Sequence, residues 1–307
     1  MLKLLFLGTS AARPTAERNV PALVVTRGGE SLLFECGEGT QRQMMRYGVT
    51  FALGDIFFTH FHGDHYLGVI GLVRTLGLQG RTEPLRLAGP RGAKKLLGEA
   101  LALGVERQPF PVDIAEVEPG QAQQREGYEI RVFDVEHGGG AIGYALVENE
   151  RLGRFDPERA RALGVPEGPL WGQLQRAHAV RLDDGREVTP ETIVGPPRPG
   201  RKLVYSGDTR PCASTVEAAR GADLLVHEAT FSEEERDRAK ETAHSTAKEA
   251  AEVAKAAGVR KLVLTHLSAR YSRDTAVLLD EARAVFPETV VAKDGLEIDV
   301  PFADASG

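Results

Sequence analysis

The stretch His60-Phe61-His62-Gly63-Asp64-His65 decides how this chain of 307 residues is read. It sets three imidazoles and a carboxylate within six residues, directly after the apolar run Ile56-Phe57-Phe58. In an extended segment side chains alternate sides, so His60 and His62 point the same way and can chelate one ion. A turn into a helix at Asp64-His65 directs those two side chains to a neighbouring second position. Neutral imidazole and carboxylate suit zinc, manganese or iron, and two metals about 3.5–4 Å apart form the arrangement that splits phosphodiesters and related esters. A single histidine here would read as a surface residue; this density of ligands after a buried strand reads as a metal centre.

Such a centre needs further ligands downstream. The chain has eight histidines, at 60, 62, 65, 137, 178, 227, 244 and 266. His137 closes the strand-like run Tyr128 to Val135, Asp208 follows Lys202-Leu-Val-Tyr-Ser-Gly207, and His266 follows Lys261-Leu-Val-Leu-Thr265. All three stand at strand ends, where open sheets gather their sites, so residues far apart in sequence can converge. His227 reads as a core histidine or one that supports a ligand, and His178 as a solvent-facing residue.

Composition agrees with one compact enzyme. At 42% hydrophobic and 27% charged, the chain can bury a large core. The opening strand Leu2-Lys-Leu-Leu-Phe-Leu7 is too short for a membrane span, and no basic region, long apolar stretch or cleavage site accompanies it. A cytoplasmic protein without a membrane partner is expected. Cys36 and Cys212 cannot make a disulfide framework and read as small, reduced, buried side chains.

Periodicity divides the chain into two halves. The first predicts strands at 2–7, 21–26, 31–36, 55–59 and 85–89, helices at 39–46, 65–77 and 90–103, then strands at 112–117, 128–135 and 141–147. The second predicts strands at 202–206, 223–227, 261–265, 289–292 and 296–299, with helices at 212–219, 245–257 and 273–284. Helix 245–257 has the strongest signals: Thr246-x-x-Glu249 as a capping box and Gly258 as the stop. Between the halves, residues 151–200 are rich in Gly, Pro and Arg and show no long periodic run. Residues 151 to 202 hold ten Lys and Arg against seven Asp and Glu, an excess of three positive charges on a chain of net charge −6. Clustered arginine suits phosphate backbones, although a charge run of this size is usually a solvated face. Trp171 in this insert suits either a lid or an interface.

His60-x-His62-x-Asp64-His65, followed by His137, Asp208 in a Ser-Gly-Asp-Thr turn, and His266, resembles the metallo-β-lactamase superfamily of binuclear hydrolases. That likeness implies an α/β fold, a four-layer αββα sandwich over residues 1–307 with an inserted flexible arm at 151–200. Four further features are similar to the ribonuclease Z family, the tRNA 3′-processing endonucleases. They are Phe6-Leu7-Gly8-Thr9-Ser10 with the loop Pro14-Thr-Ala-Glu-Arg18-Asn19, the turn Cys36-Gly-Glu-Gly-Thr40-Gln41-Arg42-Gln43, the segment His227-Glu228-Ala229-Thr230 with Ala243-His244-Ser245-Thr246, and the arm's Gly164-x-Pro166-x-Gly168-Pro169-x-Trp171-Gly172. Ala16 departs from the pattern, standing where the family's loop carries Lys. That loop is associated with reading the tRNA 3′ end.

The resemblance implies two zinc ions per subunit, with manganese or iron equally suited to the donors. One would be held by His60, His62 and His137, the other by Asp64, His65 and His266, with Asp208 bridging. It implies that Asp64 also takes the proton of an attacking water, and it suggests His244, oriented by Glu228, as the group that protonates the leaving 3′ oxygen. Arg18, Asn19, Gly168 and Pro169 become candidate substrate contacts. Precursor tRNA is the implied partner, cut to leave a tRNA 3′ hydroxyl and a 5′-phosphorylated trailer. A homodimer, with the arm of one subunit reaching toward tRNA at the other's site, is also implied. A small-molecule phosphodiesterase, an arylsulfatase-like hydrolase or a lactonase of the same fold would not need the basic arm, and a metal-free RNA-binding scaffold would not need all seven ligand positions filled.

Overall fold

The computed structural model describes residues 1–104 and 110–303. The chain separates into two compact units, Met1–Val147 with Lys202–Gly307, and Glu148–Arg201. In chain order the first unit runs β1 (Leu2–Gly8), β2 (Ala22–Arg27), β3 (Glu30–Phe34), α1 (Thr40–Arg46), β4 (Leu53–Phe57), α2 (Gly63–Tyr66), α3 (Gly68–Leu78), β5 (Leu85–Gly89), α4 (Ala93–Leu101), β6 (Val112–Glu116), β7 (Ala122–Arg125), β8 (Tyr128–Asp134) and β9 (Ile142–Glu148). The insert contributes α5 (Pro157–Ala162), α6 (Pro169–Gln175), β10 (Val180–Arg181) and β11 (Glu187–Val188). The first unit resumes with β12 (Lys202–Tyr205), α7 (Ala213–Ala219), β13 (Leu224–Glu228), α8 (Arg236–Glu241), α9 (Ala247–Ala257), β14 (Leu262–Thr265), α10 (Ala276–Val285), β15 (Thr289–Val291) and β16 (Glu297–Asp299).

Two seven-stranded sheets form the first unit, ordered β16-β1-β2-β3-β4-β5-β6 and β15-β14-β13-β12-β9-β8-β7. Strand alternation sorts each sheet's residues into layers. Leu4 and Phe6 of β1 join Phe34, Phe57, Tyr144, Leu203, Tyr205 and Val226 in the core between the sheets. Leu5 and Leu7 face the other way, into a cluster with Met44, Val69, Leu72 and Leu97 from α1, α3 and α4. Behind the second sheet, Val204, Leu225 and Leu264 pack on Ala250, Ala254 and Leu278 from α9 and α10. With both faces covered, the central strands are apolar almost throughout, which is why they stand out in the sequence. The expected αββα sandwich is the observed fold.

The capping box at the start of α9 is present in full, with Thr246 and Glu249 each bonding the other's backbone N–H, and Gly258 ends the helix in the left-handed region at φ 63°. Some elements depart from expectation. The predicted helix 65–77 is two pieces, α2 and α3, joined through Leu67. β7 and α8, whose sequences Ala-Gln-Gln-Arg and Arg-Asp-Arg-Ala-Lys-Glu lack an apolar period, were not expected. Pairing with β8 organises β7. The insert also has more order than its composition suggests: Ala160, Val165, Leu174, Val180, Leu182, Val188 and Ile193 form a core of their own. Trp171 belongs to that core, its indole N–H donating to the Val165 carbonyl at 3.1 Å and its ring lying 5.1 Å from Phe155. Glu148 and Arg201, first and last residues of this unit, form a buried ion pair at 2.7 Å.

Candidate metal centre

β12, β13 and β14 are parallel neighbours, so Asp208, Glu228 and His266 emerge at the same edge of the second sheet. His60 and His62 follow β4, Asp64 and His65 open α2, and His137 follows β8. Close approach of the two sheets here depends on Gly207, at φ 63°, where a Cβ would lie 2.7 Å from Thr59. Of the five non-glycine residues at positive φ among those described, Ala12, Glu35, Ala243 and His266 flank this cluster. Strained backbone of this kind persists where surrounding structure holds it and is common at functional sites.

The donor atoms converge in overlapping groups, two of which together take in all seven expected ligands. His60 Nε2 lies 3.0 Å from His62 Nδ1, which lies 3.3 Å from His137 Nε2. Asp208 Oδ2 is 3.6 Å from His60 Nε2, 3.9 Å from His137 Nε2 and 3.3 Å from His65 Nε2. On the other side Asp64 Oδ2 stands 3.4 Å from both His65 Nε2 and His266 Nε2. Donors of His60, His62, His137 and Asp208, and likewise those of Asp64, His65 and His266, all lie within 4.8 Å of one another. Asp208 touches both groups. Among the described residues both ring nitrogens of His65 are buried without a hydrogen bond, and three imidazole nitrogens face each other across the first group. Buried polar atoms left in that state are costly, and a cation between them resolves the conflict. The residues therefore fit divalent metal, with N and O donors that suit zinc, manganese or iron.

A second layer fixes the rings. Thr59 Oγ1 meets His60 Nδ1 at 3.0 Å and donates to buried Glu35, whose Oε1 lies 3.4 Å from His65 Nδ1. His137 Nδ1 donates to the Ala243 carbonyl at 2.8 Å, and His266 Nδ1 meets Thr230 Oγ1 at 3.0 Å. Such partners orient the coordinating nitrogen. Glu35, Thr59 and Thr230 escaped the sequence reading; the one available signal was a charge at the end of the apolar run Ser31 to Phe34.

Electrostatics follow from burial and crowding. Desolvation, aided by the charge of His65, holds His60 well below the usual histidine range. For Asp208 burial opposes ionisation, but His266 and His65 outweigh it and keep its carboxyl well below normal. Asp64 is lowered against the same penalty by the close approach of His266 and His65. His65 is raised despite burial, through Asp208 and Glu35. The cluster thus holds its carboxylates ionised and ready for cations.

Beside it stands a separate pair. His244 Nδ1 donates to Glu228 Oε1 at 2.7 Å and lies 4.0 Å from Asp208 Oδ2. Burial works against a charged His244, yet Glu228 lifts it to about 9. The loop that carries it is anchored by Arg210, which donates to the His244 carbonyl and to both oxygens of Glu249. His227, buried in β13, donates Nδ1 to the Glu228 carbonyl at 2.7 Å, and among the described residues its Nε2 has no hydrogen-bond partner.

The remaining candidates are not among these donors. Arg18 is buried, and its guanidinium donates to Thr9 Oγ1 and to the Ala292 and Ser272 carbonyls, so it shapes its loop from within. Asn19 donates Nδ2 to the Glu38 carbonyl at 2.8 Å, and its N–H bonds Asp294 at 2.7 Å. Gly168 and Pro169 are exposed at the start of α6 in the insert, and His178 is exposed there too.

A two-sheet αββα sandwich with this His and Asp cluster at its edge defines a metallo-hydrolase of the metallo-β-lactamase fold. A family model described as a beta-lactamase superfamily domain matches residues 173–267, and one described as anti-Pycsar protein Apyc1 matches residues 2–153. The chain is 60% identical to ribonuclease Z of Gemmatimonas aurantiaca, with 97% of this chain and 96% of the relative covered. It is 56% identical to ribonuclease Z of Myxococcus xanthus, with 99% of each covered. The crystal structure of human tRNase Z, short form, superposes with a TM-score of 0.72 at 27% identity, over 98% of this chain and 100% of that one. The chain belongs to the ribonuclease Z family.

Proposed function

We propose that this enzyme is a zinc-dependent endoribonuclease that removes the 3′ trailer from precursor tRNA. Full-length likeness to proteins named ribonuclease Z carries the reading, and the geometry supports a role for each residue. His60, His62 and His137 would hold one ion, Asp64, His65 and His266 the other, with Asp208 between them. Bound there, two divalent ions lower the pKa of a water and neutralise charge on the phosphoryl oxygens. Asp64 accepts the proton of the attacking water. His244, charged and held by Glu228, gives a proton to the departing 3′ oxygen, leaving a tRNA 3′ hydroxyl and a 5′-phosphorylated trailer. The insert, basic and presenting Gly168 and Pro169 at its surface, binds tRNA. Arg18 and Asn19 serve the substrate indirectly, by setting the shape of the loop that carries Ala16.

A homodimer, in which the arm of one subunit reaches tRNA at the other's site, completes the proposal, and the cytoplasm is its setting. Among the described residues no helix is long and apolar enough to cross a membrane. Incubating the purified, zinc-loaded protein with a 3′-extended precursor tRNA and mapping both ends tests it. Cleavage at the tRNA 3′ boundary with a 5′ phosphate on the trailer is expected; no cleavage, or cuts scattered along the RNA, would overturn it.

A further inference from the structure

The cluster opens into a cavity of about 490 Å³ whose lining includes Arg13, Arg238 and Arg270. These guanidiniums are not equivalent. Arg270 is paired with Glu235. Arg13 and Arg238 are exposed, and among the described residues neither has an ion-pair partner. Arg238 projects from α8 over the ring of Phe231, 5.8 Å from its centroid, and that ring meets the edge of His244 at 6.2 Å. A cation resting on an aromatic face loses some of its freedom, so its position along the His244 wall is partly set in advance. Arg13 lies on the loop bonded to Asp64. Its neighbour Ala12 donates its N–H to Asp64 Oδ2 at 2.8 Å, and the Arg13 carbonyl accepts from Ser10 Oγ at 2.8 Å.

We propose that Arg238 and Arg13 form two phosphate subsites flanking the hydrolytic centre, Arg238 for the phosphate upstream of the scissile one and Arg13 for the phosphate downstream. The assignment of sides rests on the reading of His244 as the acid for the leaving 3′ oxygen. That oxygen belongs to the upstream nucleotide, so the next phosphate on the His244 side is that nucleotide's own 5′ phosphate. A chain of net charge −6 repels a polyanion at long range and needs cations placed where the strand enters. Guanidinium meets phosphate with two parallel hydrogen bonds, and an unpaired arginine has no internal carboxylate to surrender first. These subsites distinguish an RNA strand from an isolated diester, which has no flanking phosphates to offer.

The test uses the full-length, metal-loaded protein hydrolysing bis(p-nitrophenyl) phosphate, with thymidine dinucleotides as competitive inhibitors. One probe carries a 5′ phosphate, one a 3′ phosphate and one neither. Each subsite is read as the ratio of inhibition constants between phosphorylated and plain probes, which does not depend on a variant's own turnover. In the unsubstituted protein each added phosphate should tighten inhibition about tenfold at low salt, the size of one charge-assisted contact. Arg238→Gln should abolish the advantage of the 5′ phosphate and lower the salt slope for that probe by about one, while Arg238→Lys keeps part of it. Arg13→Gln should do the same for the 3′ phosphate alone. Equal inhibition by all three probes, or a 5′ phosphate advantage that survives Arg238→Gln, would overturn the proposal. Cleavage of precursor tRNA is scored separately, so failure of the functional reading is told apart from failure of the subsites.

Discussion

Replacing Glu228 by Gln is the sharpest probe of the chemistry, because the side chain keeps its shape and loses only charge and one acceptor. Glu228 is 1% exposed, and its two oxygens receive four donors. Thr209 N–H at 3.0 Å and His244 Nδ1 at 2.7 Å reach Oε1, while Thr230 N–H at 3.1 Å and Thr230 Oγ1 at 2.7 Å reach Oε2. Whichever oxygen becomes the amide NH₂, a buried backbone N–H then faces another donor. Stability should fall by about 1–3 kcal/mol, the usual cost of a buried group left unsatisfied, measured as a shift in the urea midpoint. The larger effect is on His244. Burial disfavours its charged form, and Glu228 is what lifts it to about 9, so without the carboxylate burial prevails and the protonated acid becomes scarce. Because the protonated form is needed, the rate on precursor tRNA falls as pH rises through the His244 pKa. Glu228→Gln should therefore move the descending limb to lower pH. At neutral pH kcat on precursor tRNA should drop by less than the about 10²–10⁴ expected for removing the general acid altogether. Bis(p-nitrophenyl) phosphate, whose leaving group needs little protonation, should lose much less. Equal losses on the two substrates, or a pH profile that does not move, would refute a leaving-group role for the His244–Glu228 pair.

Other outcomes follow from the same geometry. His65→Ala and Asp208→Ala should each abolish hydrolysis of both substrates and leave fewer than two ions per chain by metal analysis; full activity with two ions would mean that the donor set is wrong. Removing about residues 154–197 should reduce activity on precursor tRNA far more than on the small diester and flatten the salt dependence of RNA binding, since these residues form a unit with its own core; equal losses would make the insert part of the catalytic body. Glu148→Gln removes the charge of a buried ion pair, so this unit should be destabilised and be cut sooner in limited proteolysis. Thr246→Ala removes the α9 cap and should lower stability by about 0.5–2 kcal/mol with little change in metal content.

The sequence by itself marked the central strands and most of the His and Asp cluster, and the sandwich came through the resemblance that those residues carry. Its central strands are buried on both faces and therefore read as unbroken apolar runs, and His60, His62, Asp64 and His65 are local, so alternation and one turn suffice to group them. His137, Asp208 and His266 were legible because each closes such a run. Tertiary structure alone decided what lies behind those ligands. Glu35, Thr59, Thr230 and the Ala243 carbonyl support rings that come from other elements, and nothing local marks an acceptor whose donor is far along the chain. Arg18 shows the limit from the other side: a motif arginine read as a substrate contact spends its guanidinium on Thr9, Ser272 and Ala292, because the loop folds over it. β7 and α8 were invisible for a related reason, since their order comes from the elements around them and not from a hydrophobic period. The insert's core escaped notice because its apolar residues are spread over short elements, none long enough to repeat a period, and only packing brings them together.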